Sequence, residues 1–127
     1  MRAVDTNVLL RLMVRTDPNQ VRAAEQFVAK GAWVSLLVLA ESIWVLDAVY
    51  ERAPPQIAAA VDVLLSHGNL VLQDPDVVAA ALVSYRKNRA LGFSDCLVLE
   101  IARKAGHLPL GTFDRALSKV EGVERLM

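Results

Sequence analysis

Four carboxylates fall where a chain of this kind could use them together: Asp5, Glu41, Asp95 and Asp114. Arg2-Ala3-Val4 predicts a short buried strand, Asp5-Thr6-Asn7 halts it, and Val8 to Met13 predicts a helix. A carboxylate at that junction occupies the edge where open α/β sheets place their ligands. Each acid also has an ordinary structural reading. Asp5 is a good helix N-cap, Asp95 a routine first-turn acid, and Glu41 a residue facing solvent beside Ser42. Gathered at one edge, the four would repel strongly without a divalent cation among them. With one, they could orient and polarise a phosphodiester and lower the pKa of an attacking water. Other chemistries are poorly supplied. Ser94 and Cys96 have no histidine near them in sequence, and no glycine-rich phosphate loop is present.

The elements that must position these acids alternate in type. Asp17-Pro18 predicts a helix start, with helical spacing at Val21, Ala24, Phe27 and Val28 up to Lys30-Gly31. Ala32-Trp33-Val34 predicts a strand. Ser35 then caps a helix from Leu36 to about Tyr50 that is apolar almost all round, and so is expected to be buried on most faces. Ala53-Pro54-Pro55 opens another helix that ends at His67-Gly68-Asn69. Leu70-Val71-Leu72 predicts a strand, and Asp74-Pro75 a further helix, with Asp74 as its cap. Ser94 is the expected cap of a helix from Asp95 to Ala105, stopped by Gly106. Leu108 to Thr112 and Val123 to Leu126 predict the last strands. This order implies an α/β fold: a single domain over residues 1–127, with a parallel five-stranded sheet and helices on both faces. Right-handed crossovers in such a sheet bring all four acids to one edge.

Composition narrows the field. At 127 residues the chain suits one domain with a real core. It is 54% hydrophobic, with a mean hydropathy of +0.35. No apolar run approaches the ~18 residues that span a bilayer. Asp5, Asn7 and Arg11 interrupt any signal-peptide core. A cytoplasmic protein is expected, and the single Cys96 fits a reducing compartment. The apolar Leu36–Tyr50 helix in so small a chain predicts burial against a second copy, most simply a homodimer. One Cys and two separated His exclude a structural zinc site, so any metal would be held by oxygen, as Mg²⁺ or Mn²⁺ is. Net charge is zero, which gives no general attraction to nucleic acid.

At Val4-Asp5-Thr6-Asn7-Val8-Leu9, at Ser35 with Leu39 and Glu41, at Ser94-Asp95-Cys96-Leu97 and at Leu110-Gly111-Thr112-Phe113-Asp114, the chain resembles the PIN-domain ribonuclease family, and within it the VapC-like toxins of toxin–antitoxin pairs. The resemblance covers essentially the whole chain. It implies a Mg²⁺- or Mn²⁺-dependent endoribonuclease with an RNA substrate, a cognate antitoxin and a dimeric state. It also implies that Asp5, Glu41, Asp95 and Asp114 are the metal-binding acids. Asn7 and Thr112 would orient them or a bound water, and Ser94 would be the small hydroxyl residue beside the third acid.

For RNA contact the candidates are Arg11, Arg15, Arg86, Lys87, Arg89 and Arg115, basic residues bordering the acids that could position phosphates. Four other readings compete. A receiver-type phosphoacceptor domain would want paired acids after its first strand and a lysine after its last, where this chain has Asp5-Thr6-Asn7 and no such lysine. A haloacid-dehalogenase-like phosphatase would want an Asp where Asn7 stands. A PIN domain could also serve RNA processing rather than act as a toxin, or only bind partners.

Overall fold

The computed structural model describes every residue from Met1 to Met127. Five strands and six α-helices alternate: β1 (Arg2–Ala3), α1 (Thr6–Met13), α2 (Pro18–Val28), β2 (Ala32–Val34), α3 (Leu36–Ala48), α4 (Pro54–Ser66), β3 (Leu70–Leu72), α5 (Pro75–Lys87), α6 (Phe93–Ala105), β4 (Leu110–Thr112) and β5 (Val123–Arg125), with a 3₁₀ turn at Leu117–Lys119. The chain is therefore α/β, and every strand pairing is parallel. The strands form a three-stranded sheet in the order β1-β2-β3 and a separate β4-β5 pair, where one five-stranded sheet is expected from the sequence. The chain divides correspondingly into two compact units, Met1–Pro75 and Asp76–Met127.

In the first unit the register sets Arg2, Ala32 and Leu70 side by side, then Ala3, Trp33 and Val71. Ala32, Val34, Leu70 and Leu72 are buried, while Trp33 and Val71 between them are exposed, the period-two alternation of a sheet with one covered face. The helices start where local chemistry satisfies their first N–H groups. The Asp17 carboxylate accepts from the N–H groups of Asn19 and Gln20, with Pro18 at the first helical position. The Ser35 hydroxyl accepts from Val38 N–H at 3.1 Å. Gln56 reaches back to accept from Ala53 N–H at 2.8 Å, which holds the start of α4.

Helix α3 departs from its expected burial. It buries only Leu39, Ser42, Ile43 and Leu46, while Leu37 is 75% and Trp44 61% exposed. A helix that is apolar all round gives the sequence no phase, so which face turns inward is set by packing. Ser42 is not on a solvent stripe with Glu41. It is fully buried, and its hydroxyl donates to the Val38 carbonyl at 2.7 Å, which satisfies it within the helix.

In the second unit Tyr85 of α5 and Phe93 of α6 meet edge to face, with centroids 5.7 Å apart. Lys104 of α6 donates to the Asp76 carboxylate at the start of α5, at 3.1 Å. Asp74 does not take the extended conformation of an N-cap; its φ is +46°. Gly106 ends α6 in the left-handed region (φ +82°), and its N–H returns to the Ala102 and Arg103 carbonyls.

Candidate functional site

Asp5 is the N-cap of α1. Its Oδ1 accepts from Val8 N–H at 3.0 Å, and the side chain is exposed. That bond fixes the carboxylate at the mouth of the helix and leaves Oδ2 without a hydrogen bond. Glu41 lies in the second turn of α3, exposed and without a hydrogen bond or ion pair. Because α1 packs on α3, both acids line one open cavity of about 360 Å³. Thr6, Asn7, Leu10 and Arg11 from α1, and Val45, Val49 and Tyr50 from the α3 end, complete its walls. The structure thus brings two of the four sequence-predicted acids together, along with Asn7 and Arg11.

The other two acids belong to the second unit. Asp95 is the third residue of α6, not its first. The helix begins at Phe93, with Gly92 as N-cap, and the half-buried Asp95 accepts from Gly92 N–H at 3.3 Å through Oδ2. Only this half of a capping box can form, since glycine has no side chain to reciprocate. Ser94 is therefore an exposed residue of the first turn rather than a cap. Asp114 follows β4. Its Oδ1 accepts from Ala116 N–H at 2.8 Å and Leu117 N–H at 3.1 Å, and its own N–H donates to the Thr112 hydroxyl at 3.0 Å. Thr112 thus anchors the backbone that carries Asp114. Within either unit, no three acidic, histidine or cysteine side chains gather closely enough to hold a metal ion.

The donor set of the Asp5–Glu41 cavity nonetheless suits a hard cation. Mg²⁺ is held by one or two carboxylates together with water and substrate oxygens, and here Oδ2 of Asp5 and both oxygens of Glu41 are unengaged. Cys96 offers no softer alternative. It is buried, and desolvation raises its thiol above the usual range, opposed by a hydrogen bond with Ser84.

The basic candidates differ in circumstance. Arg11 is half-buried on the cavity wall, and its Nε is shielded from solvent without an acceptor. Arg15 is ion-paired with Glu25. Arg86, Lys87, Arg89 and Arg115 are exposed, the first three at and just beyond the end of α5, the last directly after Asp114. Sequence reasoning missed the α2 side chains that face α1. Gln20 and Phe27 join Asp5, Asn7 and Arg11 around a second cleft. The signal was present, since Gln20, Ala23, Ala24 and Phe27 recur at helical spacing, but it reads equally as an ordinary packing stripe.

A protein-family model described as PIN domain matches residues 2–123. The chain belongs to the PIN domain family, a nuclease fold. That membership sets aside the receiver and phosphatase readings. No curated protein and no solved structure matches the chain. No helix is long and apolar enough to cross a membrane.

Proposed function

We propose that this chain is a divalent-metal-dependent endoribonuclease, with Asp5, Glu41, Asp95 and Asp114 as its metal-binding acids and Mg²⁺ or Mn²⁺ as the cofactor. The observation that carries the reading is the shared cavity of Asp5 and Glu41, with the Arg11 side chain on its wall. A bound Mg²⁺ or Mn²⁺ supplies Lewis acidity toward a phosphodiester and a more acidic water. The protein's own part is positional. Val8 N–H holds Asp5, Gly92 N–H holds Asp95, and the Ala116 and Leu117 N–H groups hold Asp114. Each of these carboxylates keeps one oxygen for a ligand. Asn7, Thr112 and Ser94 support the acids, while Arg11 and the exposed Arg86, Lys87, Arg89 and Arg115 position RNA phosphates.

The proposal extends to biology. The chain folds as a single domain over residues 1–127, acts in the cytoplasm as a homodimer, and is the toxin of a toxin–antitoxin pair held in check by a cognate antitoxin. The test is incubation of the purified protein with structured RNA in Mg²⁺, Mn²⁺ or chelator. Cleavage that needs metal and vanishes in Asp95→Asn and Asp114→Asn supports the reading. Metal-independent cleavage, or wild-type cleavage by either variant, defeats it. Growth arrest on expression, relieved by the product of a neighbouring reading frame, separates toxin from RNA-processing nuclease.

A further inference from the structure

We infer that the cleft between α1 and α2 is a nucleobase subsite, which takes one unpaired base of a single-stranded RNA beside the phosphate at the acids. This deepens the nuclease reading and rests on it. The cleft measures about 480 Å³, within the ~300–1,000 Å³ range of small-ligand cavities. Asp5, Asn7 and Arg11 line it and also line the Asp5–Glu41 cavity, so the two are contiguous along one face of α1.

Three features of the cleft match the chemistry of a base. First, Asn7 from α1 and Gln20 from α2 present carboxamides, each a donor and an acceptor. Neither carboxamide is engaged within the protein, and this is the group that reads base edges. Second, Arg11 lines both cavities, and its guanidinium is a multiple donor of the kind that pairs with base and phosphate oxygens. Third, Phe27 forms part of the wall, and its ring is fixed in place by Arg2. The Arg2 guanidinium lies 3.8 Å from the ring centroid and donates to the Phe27 carbonyl at 3.0 Å. A fixed aromatic beside hydrogen-bonding amides is how proteins hold splayed single-stranded bases. In a protein of zero net charge, such a subsite would select targets where bulk electrostatics cannot.

The test measures binding, separately from cleavage. Fluorescence anisotropy of the full chain in Ca²⁺ is read with short single-stranded oligoribonucleotides of A, of C, of U and of a G-containing mixed sequence. Wild type should prefer one base by roughly tenfold. Gln20→Ala, at an exposed position, should flatten that preference with an unchanged melting temperature. Phe27→Leu, which removes the aromatic part of the cleft wall, should weaken every oligomer by about fivefold or more. The inference is overturned if wild type binds all oligomers equally, binds none, or keeps its preference in Gln20→Ala. Cleavage in Mn²⁺ is scored in parallel. A Gln20-dependent base preference without any cleavage removes the nuclease reading alone, and metal-dependent cleavage without base preference removes this inference alone.

Discussion

Replacing Asp5 in two ways separates its structural role from its chemical one. Its Oδ1 caps α1 through Val8 N–H at 3.0 Å. Asparagine caps a helix about as well as aspartate, so Asp5→Asn keeps that bond and loses only the charge at the helix N-terminus. That charge is worth ~0.3–1 kcal/mol, toward the low end for an exposed side chain. Relief of repulsion with Glu41 in the same cavity works in the opposite direction. Asp5→Ala also removes the cap, at a further cost of ~1 kcal/mol. For a chain of this size 1 kcal/mol is roughly 3–5 °C of melting temperature. Asp5→Asn should therefore melt within ~3 °C of wild type, and Asp5→Ala ~4–8 °C below it. Both should lose cleavage by at least ~100-fold, the scale of removing one preorganised electrostatic partner of a transition state. Metal gives an independent readout. At a hundred times its dissociation constant, Mn²⁺ should stabilise wild type by ~2.7 kcal/mol, about 10 °C, and both variants far less. The assay is thermal unfolding by circular dichroism in chelator and in Mn²⁺, with RNA cleavage measured on the same preparations. If Asp5→Asn cuts at the wild-type rate and keeps the wild-type metal shift, Asp5 is a helix cap and nothing more. If it melts as low as Asp5→Ala, the capping argument is wrong.

Glu41 is exposed and unpaired, so Glu41→Gln should change stability by no more than ~0.5 kcal/mol while abolishing metal-dependent cleavage; full activity would remove Glu41 from the site. Burial keeps the Cys96 thiol neutral, so it should resist thiol reagents until the chain is unfolded, and rapid labelling of the folded protein would contradict its placement. Because its folded pKa is raised, the stabilisation is complete below the unfolded thiol value of ~8.5 and declines as pH rises beyond it; Cys96→Ala should lack that alkaline decline. The Lys104 ammonium holds the Asp76 carboxyl below its usual range, so this pair stabilises above the unfolded value of ~3.9 and is lost as pH falls through the folded one. Acid titration of stability in wild type and Asp76→Asn should converge at low pH, and high salt should erase any difference at neutral pH, since both side chains are exposed.

Local signals in the sequence carried much of the fold. Strands β2 and β3 begin and end where Ala32-Trp33-Val34 and Leu70-Val71-Leu72 predict, and Asp17 and Ser35 cap α2 and α3 through side-chain oxygens any reader can see. What failed was decided by contacts distant in sequence or by residues with no side chain. The inward face of α3 is chosen by packing, because apolar residues on every side leave no stripe to read. The start of α6 is set by Gly92, a cap that contributes backbone alone, so the hydroxyl of Ser94 drew the boundary two residues late. Strand pairing is the least local property, yet the parallel pairing expected from the order of strands and helices is what the structure has, within β1-β2-β3 and within β4-β5.

Of the candidate site, the sequence made legible the position of each acid at or near the start of a helix or turn, while the meeting of Asp5 and Glu41 in one cavity depends on how α1 packs on α3. At Asp5, Asp95 and Asp114 the sequence allows helix cap or metal ligand, and on the proposed reading the two roles are compatible. Asp5, Asp95 and Asp114 each use one carboxylate oxygen to bind a backbone N–H at the start of a helix or turn. That bond restricts the side chain to a narrow range of orientations and leaves the second oxygen without a hydrogen bond. A flexible exposed carboxylate loses rotamer freedom when it binds a cation, whereas a capping carboxylate has already lost it in folding. On the proposed reading, Asp5, Asp95 and Asp114 would therefore meet a cation with part of the ordering cost already met. Glu41 is the exception, since it caps nothing and nothing within the protein orients it. Glu41 is therefore the acid at which the proposed chemistry is tested most directly: a solvated Glu with no structural task in α3 should be replaceable without loss of fold, so any loss of cleavage in Glu41→Gln reports on ligand binding alone.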